Sequence, residues 1–148
     1  MTPAIMEITE RERLPGPNRR SERSILEYQL SFQPGFAELP AADDVALQQA
    51  IHSWLQQSFG GSAAVYGLEP VSGDSWPTRI ARHFARLALC LQQQAGHAVD
   101  EFGVHPDSED PVIWVWFEYD HAEVGERAAE LSLALLWNAL NLCEDRVD

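Results

Sequence analysis

The apolar positions of this chain switch between two rhythms, and the switches outline its elements. Leu26, Tyr28, Leu30 and Phe32 alternate with polar neighbours, which predicts a strand over 24–32 that Pro34-Gly35 ends. After Asp43 or Asp44, either of which suits a helix cap, Leu47, Ile51, Trp54 and Leu55 recur at helical spacing. They predict a helix over 45–59, stopped by Gly60-Gly61, and 63–68 follows as a short strand. Pro77 fits the first turn of a further helix. There Ile80, Phe84, Leu87 and Leu91 share one face with the small Ala88, predicting a helix over 78–95 that Gly96 closes. An acid-rich loop with Pro106 and Pro111 comes next. Residues 112–119, Val-Ile-Trp-Val-Trp-Phe-Glu-Tyr, read as a strand buried on both faces. A long helix over 123–142 completes the pattern, apolar on most sides in its second half.

Ahead of these elements, residues 1–21 contain Pro15-Gly16-Pro17 and read as an extended arm or short strand followed by a turn. The sum is an α+β (mixed α/β) chain of one compact domain, with about four strands packed by three helices. The domain is expected over 16–143, preceded by the arm or strand at 1–15 and followed by an acidic tail at 144–148. At 148 residues the chain is long enough to bury one real core.

Charge narrows the partners. The formal net charge is −13, so a phosphate backbone or an anionic membrane would be repelled, and neither nucleic acid nor membrane is an expected partner. No apolar run approaches the ~18–20 residues of a membrane span, and the N-terminus lacks the apolar core of a signal peptide. The expected location is therefore the cytoplasm. Lysine is absent, and eight of the ten arginines fall in two groups, between Arg11 and Arg23 and at Arg79, Arg82 and Arg86. Acids gather at 100–110, 118–130 and 144–148. Cys90 and Cys143 lie in apolar helical patterns and read as small core residues rather than a disulfide or metal pair.

Several short motifs then follow one another in a recognisable order. They are Gly16-Pro17-Asn18; Pro34-Gly35-Phe36; Leu68-Glu69-Pro70-Val71 with Trp76 beyond it; Ala88-Leu89-Cys90-Leu91-Gln92; Ala95-Gly96; and Phe117-Glu118-Tyr119 before Glu123, Gly125, Ala128 and Ala129. Ser75 stands where the pattern has Thr. Over roughly 10–140 this series resembles the N-terminal domain of cyanophycin synthetase, and the chain looks like a free-standing, degenerate relative of it. The family enzyme polymerises aspartate and arginine with separate ATP-grasp and Mur-ligase-like domains, for which this chain is too short. A lysine-free chain also cannot carry a Walker-type phosphate loop. The resemblance implies a domain that holds the growing polymer. In some members that domain also carries a metallopeptidase-like His-x-x-Glu-His helix.

That helix needs two histidines at i and i+4 for the metal and a glutamate to polarise its water. Counted forward from Trp76, the histidine positions fall on Arg79 and His83 and the glutamate on Arg82; counted back from Ala95-Gly96, they fall on Arg82 and Arg86, with Ala85 at the glutamate. Neither count restores the motif. Arg79, Arg82, His83 and Arg86 share one helix face by spacing, and three fixed cations beside His83 would repel a divalent metal. The old cleft is read as an anion-binding or salt-bridged face; its competitor is a solvated arginine stripe balanced by acids.

The leading expectation is a non-catalytic binding or scaffold domain without metal or other cofactor. Arg79, Arg82, His83 and Arg86 would meet carboxylates of a cyanophycin-like or other peptide ligand. Glu118, Glu123 and Glu126, with the acidic 100–110 loop, would meet its guanidinium groups. Two alternatives stand beside it. One is a subunit of a homodimer or larger assembly, joined through Leu131, Leu135, Leu136, Trp137 and Leu140. The other is a residual hydrolase acting on cyanophycin-like peptides. The remaining residues point nowhere specific. Ser75, His83 and Asp74 could form a triad on paper, as could many triples in any chain this size. His52 reads as a surface or boundary residue, and His97, His105 and His121 show no regular metal spacing. Trp114 and Trp116 are expected to pack on one sheet face, and Trp137 in core or interface.

Overall fold

The computed structural model describes residues 6–32, 44–60, 66–68, 75–106 and 112–145. Four strands, β1 (Met6–Leu14), β2 (Ile25–Phe32), β3 (Phe102–Pro106) and β4 (Val112–Glu118), form one antiparallel sheet in the order β1-β2-β4-β3. Three helices, α1 (Asp44–Phe59), α2 (Trp76–Gln94) and α3 (Ala122–Asp145), complete the α+β domain. No described helix is long and apolar enough to cross a membrane.

The alternation read in the sequence sets the register. Leu26, Leu30 and Tyr28 on β2 lie opposite Phe117, Ile113 and Val115 on β4, and all six point into the core. α2 and α3 lie side by side across this face, and α1 packs on α3. Tyr28 stacks on Phe117 at 5.7 Å and meets the edge of Phe84 from α2 at the same distance. Such buried aromatic pairs add to area burial and fix how helix and sheet meet. Gly125 is required where α3 crosses β2: a Cβ there would stand 2.8 Å from Leu26 Cδ1 and 2.9 Å from Tyr119 Cβ.

The other face of the sheet is covered at one end by the segment between β1 and β2. Asn18 organises this strap. Its amide donates to the carbonyls of Leu14 (3.2 Å) and Arg23 (2.9 Å), while its Oδ1 accepts from Arg20 N (2.9 Å) and Ser21 N (3.0 Å). Beneath it lie two buried acids. Glu27, 1% exposed, accepts from Arg19 Nη2 at 2.6 Å and Arg20 Nε at 3.1 Å. Glu118, 2% exposed, faces Arg23 Nη1 at 3.5 Å. Buried carboxylates require such partners. Three of the first group of arginines are thereby used inside the domain.

Two sequence expectations change. The stretch expected as a loop after α2 contains β3, which pairs with β4 from Phe102↔Phe117 to Pro106↔Ile113. The short strand expected over 63–68 is not seen at 66–68, and its first three residues lie outside the described set. The 1–21 arm does contain a strand, β1, with a register shift between Ile8 and Glu10. β4 is buried on both faces as read, one by the helices and one in part by the strap.

Candidate functional site

α2 begins at a well-made cap. Ser75 Oγ accepts from Thr78 N at 3.3 Å, and Pro77 occupies the first turn, where no backbone donor is needed. The helix ends at Ala95, followed by Gly96 at φ 93°, a conformation that favours glycine. Between these ends it is the central helix of the domain, with α3 beside it and β3 and β4 beneath. From 76 to 92 every residue is buried except Arg79, Arg82 and Arg86, which are half-buried. The open surface of α2 along this stretch is thus a single file of guanidinium-bearing side chains. Their backbone positions span about 10 Å at the rise of an α-helix.

His83 departs from the expected anion face. It is 1% exposed, and its Nδ1 and the Tyr66 hydroxyl are hydrogen-bonded at 2.6 Å. The helix turn explains the split. Relative to Arg79, Arg82 and Arg86 lie about 60° and 20° to one side, while His83 lies about 40° to the other. That rotation carries His83 under the Tyr66 ring, 5.9 Å away. Tyr66 is held in turn by α1: Gln48 Nε2 donates to the Leu68 carbonyl at 2.9 Å, and Leu68 N donates to Gln48 Oε1 at 3.2 Å. Arg86 also influences Cys90, whose thiol is pushed up by burial and partly drawn back by that cation.

The three acids of the expected cation face separate. Glu118 is an internal clamp, its Oε1 accepting from Asp100 N and Glu101 N at 2.9 Å each. Glu126, on α3, accepts from Arg13 Nε at 2.7 Å, and this bond holds its carboxyl below the usual glutamate value. Glu123 is exposed in the first turn of α3. Of the three, Glu123 alone is exposed, and Glu126 is half-buried and paired with Arg13, so the expected cation face is not assembled.

The structure also assembles a group that spacing did not suggest. His97, just past the end of α2, and Asp120-His121, in the turn entering α3, converge, each offering one ligand atom, with all three atoms within 4.8 Å of one another. His97 Nδ1 lies 3.1 Å from Asp120 Oδ2, and the two imidazole centroids are 5.3 Å apart. The hydrogen bond from His97 holds the Asp120 carboxyl below its usual value. The usable signal was positional. One histidine follows a helix-ending glycine and the other precedes the next helix, and the antiparallel return of β4 brings those ends together.

Other candidates resolve simply. Ser75 Oγ is bonded to the Thr78 hydroxyl at 2.9 Å, His83 is committed to Tyr66, and Asp74 lies outside the described residues. His52 is half-buried on α1, and its Nδ1 has no hydrogen-bond partner among the described residues. Leu135 and Leu136 are core residues, Leu131 is 45% exposed, Trp137 is half-buried, and the Leu140 and Cys143 side chains lie outside the described set. The apolar breadth of α3 is largely explained by its packing on α1, α2 and the sheet. No protein-family model matches this chain, and no curated protein does.

Proposed function

We propose that this chain is a non-catalytic binding module, akin to the polymer-holding N-terminal domain of cyanophycin synthetase. In this reading it receives the carboxylates of a peptide-like polymer along Arg79, Arg82 and Arg86. The observation that carries the reading is the surface of α2: over seventeen positions, 76 to 92, only these three side chains reach the surface. A guanidinium group forms paired hydrogen bonds to a carboxylate, and residues as half-buried as these carry it on a stem packed against the domain. Two further features support the reading. His83, the one histidine of α2, is hydrogen-bonded to Tyr66 inside the domain, which leaves the open face of the helix to the arginines. Glu123, exposed in the first turn of the neighbouring α3, offers a carboxylate to a guanidinium group of the same ligand, whereas Glu126 is already paired with Arg13.

The test is calorimetric titration of the chain with soluble cyanophycin or β-aspartyl-arginine at low and at physiological salt. Binding is expected at low salt and weakens as salt screens the charges. It is expected to be lost when Arg79, Arg82 and Arg86 are changed together to Gln. An absence of binding at either salt concentration removes the ligand assignment. Binding that survives the triple substitution moves it off this helix.

A further inference from the structure

We propose that His97, Asp120 and His121 hold a divalent transition-metal ion, with zinc the best match to the donors. This site is separate from the arginine file of α2. Its geometry is close to what coordination needs. The ligand atoms lie within 4.8 Å of one another, and His97 Nδ1 is 3.1 Å from Asp120 Oδ2. A tetrahedral zinc with bonds of about 2.0–2.1 Å sets its ligand atoms about 3.3 Å apart. One edge of the triangle already has that length. The others are no longer than 4.8 Å, and the exposed Asp120 and His121 side chains are the ones that would turn to shorten them.

The backbone that carries the ligands is fixed from both sides. His97 N donates to the Gln92 carbonyl at 3.0 Å, and Val99 N donates to the His97 carbonyl at 3.1 Å. Gly125 N donates to the His121 carbonyl at 2.9 Å, which seats that residue at the start of α3. The two turns are joined by the Gln92 side chain, whose Nε2 donates to the Glu118 carbonyl at 3.0 Å. A metal would therefore find its ligands already gathered.

Donor chemistry selects the ion. Two imidazole nitrogens and one carboxylate oxygen suit zinc and its neighbours, whereas calcium and magnesium prefer all-oxygen shells. Three protein ligands on an exposed corner leave a fourth position for water. The charged surroundings permit a cation. Among the described residues, the arginine that acts on Asp120 is Arg23, and its guanidinium is directed to the Glu118 carboxylate and, at 2.6 Å, to the Ala98 carbonyl. The negative end of α2 and the positive end of α3 both face this corner, so their dipoles offset one another. The ion would clasp the end of α2 to the turn between β4 and α3.

The experiment is titration of the metal-stripped full chain with zinc, and with cobalt(II) as a coloured stand-in. One zinc per chain is expected, with visible cobalt absorption and a higher melting temperature. His121→Gln and Asp120→Asn are each expected to weaken zinc by about tenfold or more. His121 is exposed, so its replacement leaves the fold intact, and His105→Gln serves as a control that leaves zinc affinity unchanged. No zinc uptake by the wild-type chain overturns the proposal, as does zinc binding unchanged in both His97→Gln and His121→Gln. Titration of the His121→Gln chain with β-aspartyl-arginine is expected to match wild type, so this site and the arginine file fail or succeed separately.

Discussion

The Glu118 carboxylate and the Asp100 backbone N–H are hydrogen-bonded at 2.9 Å, with Glu101 N on the same oxygen. Glu118 belongs to β4, and Asp100 and Glu101 lead into β3, so one buried acid holds the entrance of the edge strand. Replacing Glu118 with Ala leaves two backbone donors without their acceptor and Arg23 without its counter-charge. The expected loss is about 1–2 kcal/mol in urea unfolding, since Asp100 and Glu101 are exposed and water can take the place of the lost acceptor, leaving roughly the net worth of each hydrogen bond. Glu118→Gln keeps one acceptor oxygen and is expected to lose less. Amide exchange at Asp100 and Glu101 should accelerate in the Ala variant before exchange in α2 does.

Gly103 on β3 faces the Trp116 indole so closely that a Cβ would stand 2.6 Å from Trp116 Cε2. Trp116 lies on the sheet face away from the helices, opposite Glu27 on β2, and is 8% exposed, so its ring is already packed where it stands. Gly103→Ala is therefore expected to cost about 1–3 kcal/mol by overpacking. It should also shift tryptophan emission as the ring moves toward water. An unchanged spectrum and unchanged stability would show that the indole has room to turn.

The buried Tyr66–His83 pair is open to the same kind of test. Tyr66→Phe removes one hydroxyl at 2.6 Å from His83 Nδ1 and keeps the ring. A loss of about 1–3 kcal/mol is expected, because the buried His83 Nδ1 loses its Tyr66 partner. Titration with β-aspartyl-arginine should be unchanged in this variant, because the pair lies inside the domain. A large drop in affinity would place His83 in the binding face after all.

Much of this architecture is readable in the chain. The alternation at Leu26, Tyr28, Leu30 and Phe32 and the helical repeat at Ile80, Phe84, Leu87 and Leu91 each name their element, because burial on one face demands that period. β3 is hidden because Phe102-Gly103-Val104-His105-Pro106 has little strand preference of its own and gains its form by pairing with β4. The arginine file is visible in the spacing, but the burial of His83 is not, since it depends on where Tyr66 comes to rest. Glu118 looks like a surface acid in sequence, and only the tertiary path of the 15–24 strap and the Asp100 turn makes it internal. The His97, Asp120 and His121 group spans two turns that only the sheet order brings together.

A pH-dependent signal is expected from His105. Its imidazole is held below the usual histidine value, first by burial and second by the positive charge of Arg20, with Glu27 pulling the other way. The Trp116 Nε1–H donates to His105 Nε2 at 3.4 Å, a bond that needs the neutral ring. Because the folded value is depressed relative to the unfolded one, folding favours the neutral form. The stabilisation is present above the unfolded value of about 6.5 and is lost as pH falls through the lower folded value. Trp116 fluorescence should thus titrate with a midpoint below about 6.5, and added salt should raise that midpoint by screening Arg20. His105→Ala removes the acceptor and should remove the transition. A midpoint above the ordinary histidine value, or the same titration in His105→Ala, would place the responsible proton elsewhere.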